Sequence, residues 1–207
     1  MKRKTLNDLD FIHRWVPGSS ARTLLLLHGT GGDEKDLLEF GREIDADAAL
    51  LSPRGKVLEK GAPRFFRRLS EGVFDEEDVI ARSGELAQFI TAAADAYKID
   101  LNNLTAVGYS NGANIAAAMM LLGVAKFSNA ILFRAMVPLS KIGIPNLKTS
   151  RVLISAGQFD PIAQVSIAER LAQLFERAGA TVTFKLQASG HELTGNDVEA
   201  AREWLTR

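Results

Sequence analysis

The sequence predicts an α/β fold, a mostly parallel central sheet with helices on both faces, formed as a single domain over residues 1–207. Three observations predict it. Short apolar runs ending at Gly, Pro or Asn alternate with longer segments of helical period. Most of those runs are nearly continuous in apolar residues, as strands buried on both faces must be. With 207 residues, 46% hydrophobic and 24% charged, the chain suits one ordinary domain with a sizeable core.

Taken in order, the runs at 23–27, 48–52, 104–107, 129–133, 151–155 and 181–186 are expected as strands. Residues 11–16 give the weakest strand signal, as part of a first strand pair. Helical spacing is expected over 34–44, 80–97, 111–122, 162–178 and 197–206. The connections are short except for 53–79, which leaves no room for an inserted lid domain. No internal repeat or low-complexity linker interrupts the pattern.

Charge and composition exclude several classes of function. Lys and Arg total 25 against 25 Asp and Glu, so no net positive field exists to hold a nucleic-acid backbone or an anionic membrane. The absence of cysteine excludes disulfides, thiolate metal sites and a cysteine nucleophile. Residues 1–15 carry Lys2, Arg3, Lys4, Asp8, Asp10 and Arg14 and no signal-peptide core, and no run approaches the roughly 20 apolar residues of a spanning helix. The expectation is a cytoplasmic protein without membrane insertion.

Chemistry concentrates in one pentapeptide. Gly108-Tyr109-Ser110-Asn111-Gly112 follows a buried run and opens an Ala-rich helical segment, the setting of a nucleophile elbow in the α/β-hydrolase fold. A serine at so sharp a turn projects its hydroxyl from the sheet, while the flanking glycines remove side chains that would collide. The plainer alternative is a tight turn with a capping serine.

A hydroxyl needs a base to take its proton, and the base needs an acid to hold its tautomer. Of His13, His28 and His191, His191 alone follows Ser110, as the chain order Ser, acid, His of this fold requires. It could also be an ordinary exposed loop histidine. Between the two lie only Asp160, Glu169 and Glu176. The glutamates fall inside a helical stretch, whereas Asp160 lies in a loop leaving the run 151–155. Asp160 before Pro161 also suits a helix cap, and both roles can be filled at once.

Charge stabilisation falls to His28-Gly29-Thr30-Gly31-Gly32 and the elbow. The backbone amides of Thr30 and Asn111 are assigned to an oxyanion hole, so their side chains are expected to matter less than backbone geometry. His28 reads as a brace for its loop rather than a metal ligand or base. Phosphate cradling is disfavoured because neither glycine-rich nucleotide signature is present.

The basic stretch Arg54, Lys56, Lys60, Arg64, Arg67 and Arg68, followed by Glu71, Asp75, Glu76, Glu77 and Asp78, supports two readings. One is local pairing between its halves. The other has Phe65 and Phe66 walling an acyl or aromatic pocket while Arg67 or Arg68 meets a substrate carboxylate.

These motifs together resemble the phospholipase/carboxylesterase family, which includes acyl-protein thioesterases, and within it most closely the bacterial quinone-stress hydrolases. The resemblance rests on LLHGTGGDEKDL at 26–37, PRFFRRL at 63–69, GYSNGAN at 108–114 and GHELT at 190–194. It implies that Ser110, Asp160 and His191 match the family's triad and that Thr30 and Asn111 match its oxyanion positions. Glu192 departs from a frequent Gln and adds a charge beside the base. The resemblance also makes a homodimer an expectation that no residue here demonstrates.

The expected activity is hydrolysis of small to medium carboxylic esters through an acyl-enzyme, with no metal or organic cofactor. Thioester or lysophospholipid hydrolysis on longer chains is the first alternative. A sensor that binds a ligand without turnover is the second.

Overall fold

The computed structural model describes residues 9–141 and 143–206. Lys2, Arg3, Lys4 and Asp8, on which the reading of residues 1–15 partly rests, lie outside the described residues.

Seven strands form one sheet in the order β1-β3-β2-β8-β9-β10-β11. They are β1 (His13–Val16), β2 (Thr23–Leu27), β3 (Ala49–Pro53), β8 (Leu104–Tyr109), β9 (Asn129–Phe133), β10 (Arg151–Gly157) and β11 (Thr181–Gln187). Only β1 runs antiparallel, pairing His13 with Pro53 and Val16 with Leu50 of β3. The faintly signalled first strand therefore exists, and among the described residues it is a single edge strand rather than a pair.

Side chains alternate across each strand, which divides the core in two. Leu25 and Leu27 of β2 join one cluster, with Leu86, Phe89 and Ile90 of α2 (Glu76–Tyr97), Ile115 of α3 (Asn111–Leu121), and Leu171 and Phe175 of α4 (Val165–Arg177). Leu24 and Leu26 join the other, with Ile44 of α1 (Leu38–Ile44) and Val198, Ala201 and Trp204 of α5 (Gly195–Leu205). Every residue of α3 is buried. Its run of alanines lets the helix lie close against the sheet and α2, and it carries the first residues of the site.

Two helices begin four residues away from where their periodicity predicts. Residues 34–37 form turns, so α1 starts at Leu38. In α2 the acidic run is the helix start itself: Asp75 caps Asp78 N, and Glu76, Glu77 and Asp78 occupy the first turn, where the helix dipole favours negative charge. The connection 53–79 contains two small ribbons absent from the sequence reading, β4 (Val57–Glu59) with β5 (Ala62–Arg64) and β6 (Arg68–Ser70) with β7 (Val73–Phe74). Lys60 (φ 51°) and Gly61 (φ 86°) make the tight turn between β4 and β5. No helix among the described residues is long and apolar enough to cross a membrane.

Candidate active site

The carboxyl ends of β2, β8, β10 and β11 bring distant residues together. Ser110 follows β8 with φ 51° and ψ −113°, a backbone conformation that an L-residue holds only when its surroundings impose it. Its amide bonds Phe133 O at 2.9 Å. A Cβ on Gly108 would stand 2.6 Å from Ala113 N, and one on Gly112 would overlap Leu27 O. The glycines are thus required by close backbone approach, as the motif predicts.

From this turn a hydrogen-bonded row extends across the sheet edge. The Ser110 hydroxyl donates to His191 Nε2 at 2.9 Å when His191 is the Nδ1–H tautomer. That tautomer is fixed by Asp160, whose Oδ2 accepts from Nδ1 at 2.7 Å. Asp160 is buried, and its other oxygen accepts from the amides of Ile162 and Ala163 at 2.8 and 2.9 Å. Asp160 thus contacts His191 and the turn before α4 at once, and because α4 begins at Val165 the expected cap falls on that turn rather than on the helix.

The amides of Thr30 and Asn111 bond to no acceptor among the described residues, and Asn111 opens α3, where the positive end of the helix dipole lies. Their side chains do more than the sequence reading allowed. Asn111 Oδ1 accepts from Phe65 N at 2.7 Å, and Thr30 Oγ1 accepts from Arg64 Nη1 at 2.6 Å. Together with the bond from Gly31 N to Pro63 O at 2.9 Å, they fasten the β4–β5 ribbon to the loop and the elbow. His28 braces the same loop, with Nδ1 donating to Gly29 O and Nε2 accepting from Gly55 N. Burial pushes its pKa below the ordinary 6.5, consistent with a neutral ring.

The pocket role expected of Phe65 and Phe66 is overturned. They are 3% and 0% exposed, with Phe65 against His28 and Phe66 edge-on to Phe74, so they underlie the site and wall no open pocket. Arg67 and Arg68 are likewise corrected as carboxylate binders. Arg67 pairs with Asp75 at 2.9 Å and Arg68 with Glu59 at 2.8 Å, which is local pairing.

Residues that the sequence reading missed hold the His191 loop. Arg134, at φ 53° just after β9, is buried in a bidentate pair with Asp197 at 2.8 and 2.9 Å. The same guanidinium donates to Gly190 O at 3.0 Å and Glu192 O at 2.7 Å, gripping the chain on both sides of His191. Burial alone would raise the Asp197 pKa, but hydrogen bonds from Arg134 and Ser155 hold it below the ordinary 3.8. Tyr109 adds a bond from its hydroxyl to His191 O at 3.1 Å. The Glu192 carboxylate folds back on its own amide and that of Gly190, which lowers its pKa and fixes the turn. Among the described residues, no three His, Asp or Glu side chains assemble as metal ligands.

Comparisons with known proteins bear on the fold and the family. A family model described as Phospholipase/Carboxylesterase matches residues 17–207. MhqD of Bacillus subtilis (strain 168) is 47% identical over 192 residues, covering 93% of this chain and 96% of MhqD. The crystal structure of a Bacillus cereus carboxylesterase superposes with a TM-score of 0.92 at 46% identity, covering 97% of this chain and 95% of that one. A carboxylesterase from Mesorhizobium loti gives 0.91 at 33% identity over 97% of both chains.

Proposed function

The chain belongs to the phospholipase/carboxylesterase family, and from that premise we propose that it is a serine hydrolase acting on small to medium carboxylic esters. The observation that carries the reading is the row Ser110–His191–Asp160, with hydrogen bonds of 2.9 and 2.7 Å. Ser110 Oγ attacks the ester carbonyl as His191 Nε2 takes its proton. The negative oxygen that develops is met by the amides of Thr30 and Asn111.

Asp160, held by two backbone amides, stabilises the imidazolium that forms. His191 then protonates the departing alkoxide, leaving an acyl group on Ser110. Water attacks that ester with His191 again as base, and the carboxylic acid leaves.

The strand ends bear only short ribbons and loops among the described residues, which favours small esters over a lipid interface. The test is kcat/KM for p-nitrophenyl acetate, butyrate, hexanoate and dodecanoate beside the matching acyl thioesters. The expected profile peaks at butyrate or hexanoate and favours the oxygen ester. A rise through dodecanoate, or a preference for the thioester, would assign the site to long-chain thioester or lysophospholipid hydrolysis instead.

A further inference from the structure

Arg64 is a guanidinium enclosed beside the proposed oxyanion amides and only partly engaged. Its side chain is 3% exposed. Nε donates to Phe66 O at 3.1 Å and lies 3.3 Å from Glu59, while Nη1 donates to Thr30 Oγ1 at 2.6 Å. Nη2 has no partner among the described residues. Among the described residues the enclosed side-chain atoms without partners are Ser83 Oγ and Asn111 Nδ2, which leaves Nη2 as a donor at the edge of the little Arg64 surface that solvent reaches.

Its position is tied to the reaction centre from both sides. Three covalent bonds separate Thr30 Oγ1 from the Thr30 amide, and the next residue, Phe65, is hydrogen-bonded through its amide to the side chain of Asn111. The guanidinium therefore stands one side chain away from the amides that would face the ester oxygen.

Local charge is unbalanced in the same place. Arg64 and Arg68 share the single carboxylate of Glu59, and Arg68 takes the closer contacts, at 2.8 to 3.1 Å. Burial and the neighbouring Arg68 both disfavour the charge on Arg64, with Glu59 the opposing influence. A buried, always-charged fork with free donors suits a planar anion, and a carboxylate matches it better than a neutral carbonyl.

We propose that Arg64 forms a carboxylate subsite, making the preferred substrates esters that carry a free carboxylate a few bonds from the scissile carbonyl. The proposal rests on the hydrolase reading above and names its substrate class. Arg64 takes this part in place of Arg67 and Arg68 because its guanidinium is bonded to Thr30 of the proposed oxyanion loop, whereas theirs pair with Asp75 and Glu59.

The experiment compares kcat/KM for monoethyl succinate and diethyl succinate, together with calorimetric binding of succinate. The wild type is expected to favour the monoester about tenfold, a charge-assisted hydrogen bond's worth of discrimination. Arg64→Gln is expected to lower that ratio about tenfold or more, with Arg64→Lys intermediate. Glu59→Gln, which removes the competing carboxylate, is expected to raise it. A structural role alone would change both esters equally and leave the ratio in place.

A wild type that turns over both esters without preferring the monoester overturns the subsite and leaves the hydrolase reading standing. If neither ester is turned over, the hydrolase reading fails on these substrates and succinate decides the subsite. Binding weakened about tenfold by Arg64→Gln supports it, and equal binding overturns it.

Discussion

Replacing Asp160 by Asn is expected to lower kcat on a p-nitrophenyl ester by about 10⁴, with KM nearly unchanged. The reason is tautomeric. An amide can offer His191 Nδ1 an N–H, which favours the ring form whose proton sits on Nε2 and faces Ser110. That form cannot accept the serine proton. Ser110→Ala or His191→Ala should cost about 10⁶, and the double variant should cost little more, because the residues act as a unit. Steady-state kinetics on purified variants would check this. Losses that multiply would indicate independent contributions rather than one relay.

The second large effect concerns stability and positioning together. Arg134→Met leaves the Asp197 carboxylate buried without its cation, which is expected to cost about 3–5 kcal/mol. For a chain of this size that is a fall in Tm of about 6–20 °C. Thermal unfolding would measure it. Arg134→Met/Asp197→Leu removes both charges and is expected to regain much of the stability. Activity should not return with it, because Gly190 O and Glu192 O still lack their donor and His191 loses its fixed place. Recovery of kcat alongside Tm would show that Arg134 supports the fold only.

These two predictions also mark what could be read from the sequence. The elbow was legible because its glycines, serine and helix start are contiguous, and each is demanded by a local steric or electrostatic need. Asp160 and His191 were legible by elimination, since one histidine follows Ser110 and three acids lie between the two. Arg134 was not, because its partner is 63 residues away and nothing beside it signals a buried charge.

The ribbons of the connection 53–79 were missed because strands of two or three residues with charged neighbours show no alternation. That omission led to the misplacement of Phe65 and Phe66. Flanked by arginines, they look exposed until the ribbons fold back and press Phe65 against His28 and Phe66 against Phe74. The same folding turned the side chains of Thr30 and Asn111 from bystanders into anchors for Arg64 and Phe65.

The central claim is that the Ser110 hydroxyl is a nucleophile activated by His191. A fluorophosphonate probe reports on it most directly, with intact-mass and peptide analysis at neutral pH. The expected result is one adduct per chain, located on Ser110, absent in Ser110→Ala and strongly slowed in His191→Ala. An unlabelled wild type, or an adduct that persists when Ser110 is replaced, would contradict the account.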